Sequence, residues 1–507
     1  MKKMFSHLLC AVLVILCSAL LPIMLFFANV GAVKFYEIAI FIGIYAVIGL
    51  GVFVVLRFIL KSEYKAGLAA GFFILIFQNS GRLAKIMPYK FVLVIFLLVA
   101  GGLIFAVWKL LKDDIAKLFV PVLSVVLTML LVMNTVISIS KIVSVANADK
   151  EIQKEIDEQY EYILSCKDGE RTTEELPNIY FIITDEYAGF NSLEKYYDYD
   201  NAQFKAFLEN RKFNLSLNST NYMEQTFECL ANVFNLEVSE NNSYAKTSEA
   251  YCQKKIKNGV LFKLVESLGY TITVAQTLDV VDYESETDVF GDKWSSTDTG
   301  DSTIDLMVAP SMLAPFTDKI RSVLNGVPLD YFVGSARIVS QGQAGIDPLL
   351  YFAESENTGK ENSFNLCYVS FPHTPFVYDE NGNVIDGVEH SADWGEKSYY
   401  LNQLKYCTTL LENTIDNIIE NDPEAIIVLM SDHGVRDHSD EVSGAEWMSE
   451  MTPKDSADIL CGVYYGGDEF DGIEGMCGSN VLISVINKAW GYDIPLIGQS
   501  DDMYHKK

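Results

Sequence analysis

The chain has 507 residues, half of them hydrophobic, and a formal net charge of −29 at pH 7. The charge is unevenly divided: residues 1–145 hold 13 Lys/Arg against 4 Asp/Glu, and the remainder carries a balance of −38. Domains usually run to about 100–200 residues, so more than one unit is expected. An acidic C-terminal part of this size excludes nucleic acid as a partner, because that role needs a basic footprint. It is compatible with a cationic ligand, metal ions included.

Apolar runs occur at 8–30, 38–56, 66–77, 91–108 and 118–138, and four of the five approach the ~20 residues needed to cross a bilayer. A cleaved signal peptide would explain only the first. The third, short and followed by Gln78, Asn79 and Ser80, also suits a re-entrant or core segment. Lys and Arg are retained on the cytoplasmic side of a membrane. Five spans with a cytoplasmic N-terminus put Lys2, Lys3, Arg57, Lys61, Lys65, Lys109, Lys112 and Lys117 inside and only Lys34, Arg82, Lys85 and Lys90 outside. That bias favours five spans and a multi-pass cell-membrane protein whose acidic part is extracytoplasmic. Four spans would leave the acidic part in the cytoplasm.

The expected organisation is a transmembrane domain at 1–140, a linker helix or tether at 141–176 and a catalytic domain at 177–507. Within the tether, spaced Ile and Tyr over 147–161 read as a helix. Past Pro177, the β-branched and aromatic run 178–184 reads as a strand buried on both faces. Further strands are expected at 271–275, 364–370 and 425–430, with helices at 259–268 and 400–419 before the second and fourth. This alternation predicts an α/β domain with a mainly parallel sheet, in which ligands bind beyond the carboxyl ends of the strands. Of nine cysteines, seven lie in the acidic part. None forms a CxxC cluster, so buried thiols are expected rather than a structural zinc site.

The residues after the strands carry the chemistry. The first strand runs into Thr184-Asp185-Glu186-Tyr187 and the fourth into Ser431-Asp432-His433-Gly434. Asp and neutral His together suit zinc or manganese, although either Asp alone could be a turn or cap residue. Four of the six histidines, His373, His390, His433 and His438, fall between 373 and 438, and prolines on both sides of His373 restrict its backbone. Thr226 precedes apolar positions 227, 230, 231 and 234, which suit one face of a helix. Its hydroxyl is therefore either a nucleophile at a helix N-terminus or a plain N-cap.

In order, PNIYFIITDEYAG at 177–189, NYMEQTFECLANVFN at 221–235, FPHTPFVYDENG at 371–382 and SDHG at 431–434 resemble the alkaline phosphatase/sulfatase superfamily. The likeness is to membrane-anchored sulfatase-like proteins, with lipoteichoic acid synthase and phosphoethanolamine transferases as relatives, and Phe77-Gln78-Asn79-Ser80-Gly81 looks like a segment of the same proteins. By position, the resemblance implies Asp185, Thr226, Asp432 and His433 as ligands of one divalent metal ion, zinc or manganese. It implies Thr226 as nucleophile, His373 contacting the phosphate or assisting the leaving group, and His438 beside the substrate. True sulfatases carry C-x-P-x-R, but Cys229 is followed by Leu230, Ala231, Asn232 and Val233, which reads as a core position.

The expectation is thus a membrane-anchored, metal-dependent phosphoryl-ester transferase or hydrolase. It would act through a threonine on membrane lipid head groups, with a cell-envelope glycan or lipid as acceptor. The alternatives are a sulfuric ester hydrolase of the same superfamily, or a non-catalytic membrane receptor or scaffold that keeps the fold.

Overall fold

The structure is a computed structural model that describes residues 2–24, 35–167, 176–238, 249–287, 289, 307–308, 310–317, 319–320, 336–386, 394–439, 442, 444–500 and 504. The last residues of the first apolar run, part of the tether, His390 and His505 lie outside the described residues. The chain divides into two compact units: Met1–Asp149 with Trp294–Leu329, and Lys150–Lys293 with Asp330–Lys507.

The first unit contains helices α1 (Lys2–Leu20), α2 (Phe35–Leu60), α3 (Glu63–Asn79), α4 (Tyr89–Lys109) and the start of α5 (Asp113–Ser165). Three stretches, Ile38–Leu60, Tyr89–Lys109 and Asp113–Ile139, are long and apolar enough to cross a membrane, and Leu8–Leu20 is a shorter apolar helix. These are the helices of a membrane protein. The third apolar run lies in α3, whose start is set by Ser62, its side chain accepting from the Lys65 amide. Small residues let α3 approach α1 closely: a Cβ on Gly67 would lie 2.6 Å from the Ala11 Cβ, and one on Gly71 2.8 Å from Val14. Exposed Val47, Phe58, Leu98 and Leu118 suit contact with lipid. Residues 147–161, expected as a helix, belong to α5.

The second unit is built on a six-stranded sheet of order β2-β6-β5-β1-β4-β3. Its strands are β1 (Ile179–Asp185), β2 (Asn214–Ser216), β3 (Thr271–Gln276), β4 (Ser363–Pro372), β5 (Ile426–Ser431) and β6 (Cys461–Tyr465). The four strands expected from the sequence pair in parallel with one another, with β1 between β4 and β5. The remaining two make the sheet mixed, since β6 is antiparallel to both β5 and β2.

Side chains alternate across a strand, so each face of β1 has its own core. Ile179, Phe181 and Ile183 pack with residues of α6 (Thr226–Phe234), α7 (Val260–Ser267) and α10 (Gly478–Trp490). Tyr180 and Ile182 pack with α8 (Ala336–Phe352) and α9 (Lys397–Asn421). Burying each such side chain contributes roughly 1.5–3 kcal/mol, which makes β1 the fixed reference for the residues at its end. Its register against β5 pairs Thr184 with Ser431, so Asp185 and Asp432 emerge side by side at one rim. β4 reaches the same rim and delivers His373. None of the nine cysteines is in a disulfide, and seven of them are buried.

Candidate active site

At this rim Asp185, Asp432 and His433, all buried, each offer a ligand atom within 4.8 Å of the others. His433 Nε2 stands 3.6 Å from Asp185 Oδ1 and 3.5 Å from Asp432 Oδ2. Neither carboxylate oxygen has a hydrogen-bond partner among the described residues. The other oxygens are committed. Asp185 Oδ2 accepts from the Tyr368 hydroxyl at 3.1 Å, and Asp432 Oδ1 accepts from the amides of His433 at 2.7 Å and Glu186 at 3.2 Å.

His433 Nδ1 lies 2.7 Å from the Gly434 carbonyl, which can only accept, so Nδ1 carries the proton and Nε2 presents its lone pair. Two orphaned carboxylate oxygens facing an imidazole lone pair are costly in a buried pocket unless a cation lies among them. The donor set of two carboxylates and one imidazole fits zinc or manganese.

Burial, and then the Asp432 charge, pushes Asp185 up to about 6, and burial pushes Asp432 up to about 7. The same burial lowers His433, which keeps its ring neutral. A bound cation would reverse the carboxylate shifts by favouring their charged forms.

Thr226 is the first residue of α6. Gln225 holds the N-cap position without a side-chain cap bond, so the threonine hydroxyl is not spent as a cap. Its Oγ1 lies 3.3 Å from His433 Nε2, and the residue is only partly buried. The free amides of the first helical turn favour an anion there. Asn221 ties this loop to β5: its Nδ2 donates to the carbonyls of Asp432 at 2.6 Å and Ser431 at 3.3 Å, and its Oδ1 accepts from the Gly478 amide at 2.9 Å. Cys229 is fully buried one turn further on.

The structure also gathers His373 and His438, around Glu186. Glu186 follows Asp185 in a left-handed conformation at φ 59° and is wholly buried. Its Oε2 lies 3.6 Å from His373 Nε2, and its Oε1 lies 3.6 Å from His438 Nε2 and 3.2 Å from Arg436 Nε. Burial alone would raise the Glu186 carboxyl, but His373, His438 and Arg436 hold it well below the usual range. Burial would lower His373, yet Glu186 and Asp185 hold it above its ordinary value. The His438 ring stacks on Trp394 with centroids 5.0 Å apart. Sequence reading missed Glu186, which stands inside the run TDEY, and Arg436, which lies two residues past SDHG. It also missed Tyr368 and Asn221, which hold the motif residues in place.

No family model matches the chain, and no curated protein does. Several solved structures are similar to it. The C-terminal periplasmic domain of EptC from Escherichia coli, in complex with zinc, is 13% identical at a TM-score of 0.39, covering 64% of this chain and 86% of that one. The integral membrane lipooligosaccharide phosphoethanolamine transferase A of Neisseria meningitidis is 12% identical at 0.36, covering 94% and 95%. The lipoteichoic acid synthase LtaP of Listeria monocytogenes is 13% identical at 0.32, covering 66% and 77%. These are the kinds of protein that the sequence motifs resemble. At such identities and TM-scores, function rests on the site itself.

Proposed function

We propose that this is a membrane-anchored, metal-dependent phosphoryl-ester transferase or hydrolase that works through Thr226. The carrying observation is the convergence of two orphaned carboxylate oxygens and a lone-pair imidazole nitrogen beside a hydroxyl at an uncapped helix start. Asp185, Asp432 and His433, with Thr226 Oγ1, would hold the cation. Such an ion supplies Lewis-acid charge that lowers the hydroxyl's pKa and neutralises phosphoryl oxygens.

Thr226 Oγ1 bonds to phosphorus as the bond from phosphorus to the leaving alcohol oxygen breaks, and the threonine proton passes to solvent. His373, kept protonated by its carboxylate neighbours, gives a proton to the departing oxygen. An acceptor hydroxyl or water then attacks phosphorus as the bond from phosphorus to Thr226 Oγ1 breaks, its proton passing to the threonine oxygen, and His373 regains a proton from solvent. The amides at the start of α6 hold the anion throughout. The membrane unit makes a lipid head group the natural donor, with a cell-envelope glycan or lipid as acceptor and the catalytic part extracytoplasmic, on a chain of five spans.

The test is peptide mass analysis of the purified full chain after incubation with phosphatidylglycerol or phosphatidylethanolamine and zinc or manganese. A head-group phosphate on the peptide containing Thr226 is expected, absent in Thr226→Ala. Lipid turnover that survives Thr226→Ala would overturn the proposal.

A further inference from the structure

The C-terminal half is strongly acidic, yet residues 307–316, MVAPSMLAPF, carry no charge and are bounded by Asp305 and Asp318. They belong to the same compact unit as the apolar helices. Met307 and Val308 are buried with Ile38, Phe41 and Tyr45 of α2 and Ile74 of α3. Met312 is buried with Val92, Phe96 and Ala100 of α4. These positions all lie at one end of the helices, where α2 and α4 begin and α3 ends. Arg57, Lys61, Lys65 and Lys109 mark the other end.

Polar contacts fix the seat. The hydroxyl of Tyr45 donates to the Met307 carbonyl at 2.5 Å and that of Tyr89 to the Met312 carbonyl at 2.6 Å. The Met312 amide donates to the Phe77 carbonyl at 2.9 Å, satisfying one of the free carbonyls at the end of α3. The segment also satisfies itself. The amides of Ser311, Ala314 and Phe316 donate to the carbonyls of Val308, Ser311 and Leu313, and that of Leu313 donates to the Ser311 hydroxyl. The Thr317 amide donates to the Ala314 carbonyl, and Pro315 has no donor to satisfy. Backbone outside a long helix survives at membrane depth only where its polar groups are met in this way. The Phe316 ring remains 54% exposed, an aromatic suited to the boundary between head groups and acyl chains.

We infer that residues 307, 308 and 310–316 form a second membrane attachment, an apolar plug by which the C-terminal half re-enters the bilayer boundary independently of α5. The partner is the lipid surface together with the ends of α2, α3 and α4.

The test uses the full chain in membranes with a site-specific protease sequence inserted in α5 between Asn147 and Ala148. After cleavage and a high-salt wash, the C-terminal product stays in the membrane pellet. With Met307→Asp and Met312→Asp combined, most of it moves to the supernatant. Release of the parent product, or retention of the doubly substituted one, overturns the inference. A second reading needs no cut. In vesicles, the indole added by Phe316→Trp is quenched by lipids brominated on their acyl chains and is shielded from aqueous iodide. Quenching by iodide with none by brominated lipid overturns the inference as well.

Discussion

Replacing Asp432 with Asn should make the metal-free protein more stable and deprive it of its cation. An unfolded aspartate titrates near 3.8, whereas burial raises Asp432 to about 7. The folded state therefore holds the proton more tightly than the unfolded one. The cost of ionising Asp432 in the fold is absent below pH 3.8, grows as the pH rises, and is complete above about 7. At about 1.36 kcal/mol per pH unit that interval amounts to about 4 kcal/mol at pH 8, and to less than about 2 kcal/mol at pH 5.

Asn removes the charge but keeps an oxygen for the amides of Glu186 and His433, now 3.2 and 2.7 Å from Asp432 Oδ1. At about 2 cal/mol/K of unfolding entropy per residue, a gain of ~4 kcal/mol in a unit of this size raises its Tm by about 6 °C. Thermal unfolding of chelator-treated protein in detergent, followed by tryptophan emission, measures it, because Trp490 is buried in the C-terminal core. The gain should shrink at pH 5, and added zinc should stabilise the parent but not the variant. A variant that melts below the parent in chelator at pH 8 would refute the reasoning, and so would equal stabilisation of both by zinc.

Three further outcomes are expected. Tyr368→Phe removes the hydroxyl that steadies Asp185 Oδ2 and should weaken zinc or manganese binding roughly 10- to 100-fold by calorimetric titration, leaving the fold intact. Glu186→Gln removes the main charge that raises His373. The activity that needs protonated His373 should therefore fail at lower pH than in the parent, with a loss that deepens as the pH rises in a pH–rate profile. Gly434→Ala places a Cβ 2.5 Å from the Asp458 carbonyl and 3.0 Å from that of Ser456, both backbone atoms. It should destabilise the C-terminal unit by about 1–3 kcal/mol in denaturant titrations and shift the neighbouring His433.

The central parallel strands were legible because burial on both faces demands an unbroken apolar run. Residues 178–184 answer to Ile179–Asp185, 364–370 to Ser363–Pro372 and 425–430 to Ile426–Ser431. β6 was not legible. Its five residues, CGVYY, include a glycine and are followed by two more, a pattern that reads equally as a turn. Its antiparallel pairing depends on β5 rather than on its own sequence. In the site, adjacency to a strand end marked Asp185 and Asp432. Glu186 stands one residue from Asp185, but its role follows from a left-handed backbone that aims it at His373 and Arg436, and periodicity carries no sign of that. The run 307–316 is shorter than a span, so hydropathy alone gave no reason to separate it from the acidic domain.

The segment just before β6 fastens both site loops. The Leu460 carbonyl accepts from the Ser431 amide, the Ser456 carbonyl from Gly434 and the Asp458 carbonyl from Gly189. Arg436 and His438 therefore lie between two fastened points, Gly434 on one side and Ser456 on the other. Changes between those points would alter the surroundings of Glu186, while the seams on either side hold the aspartates and the imidazole where they are.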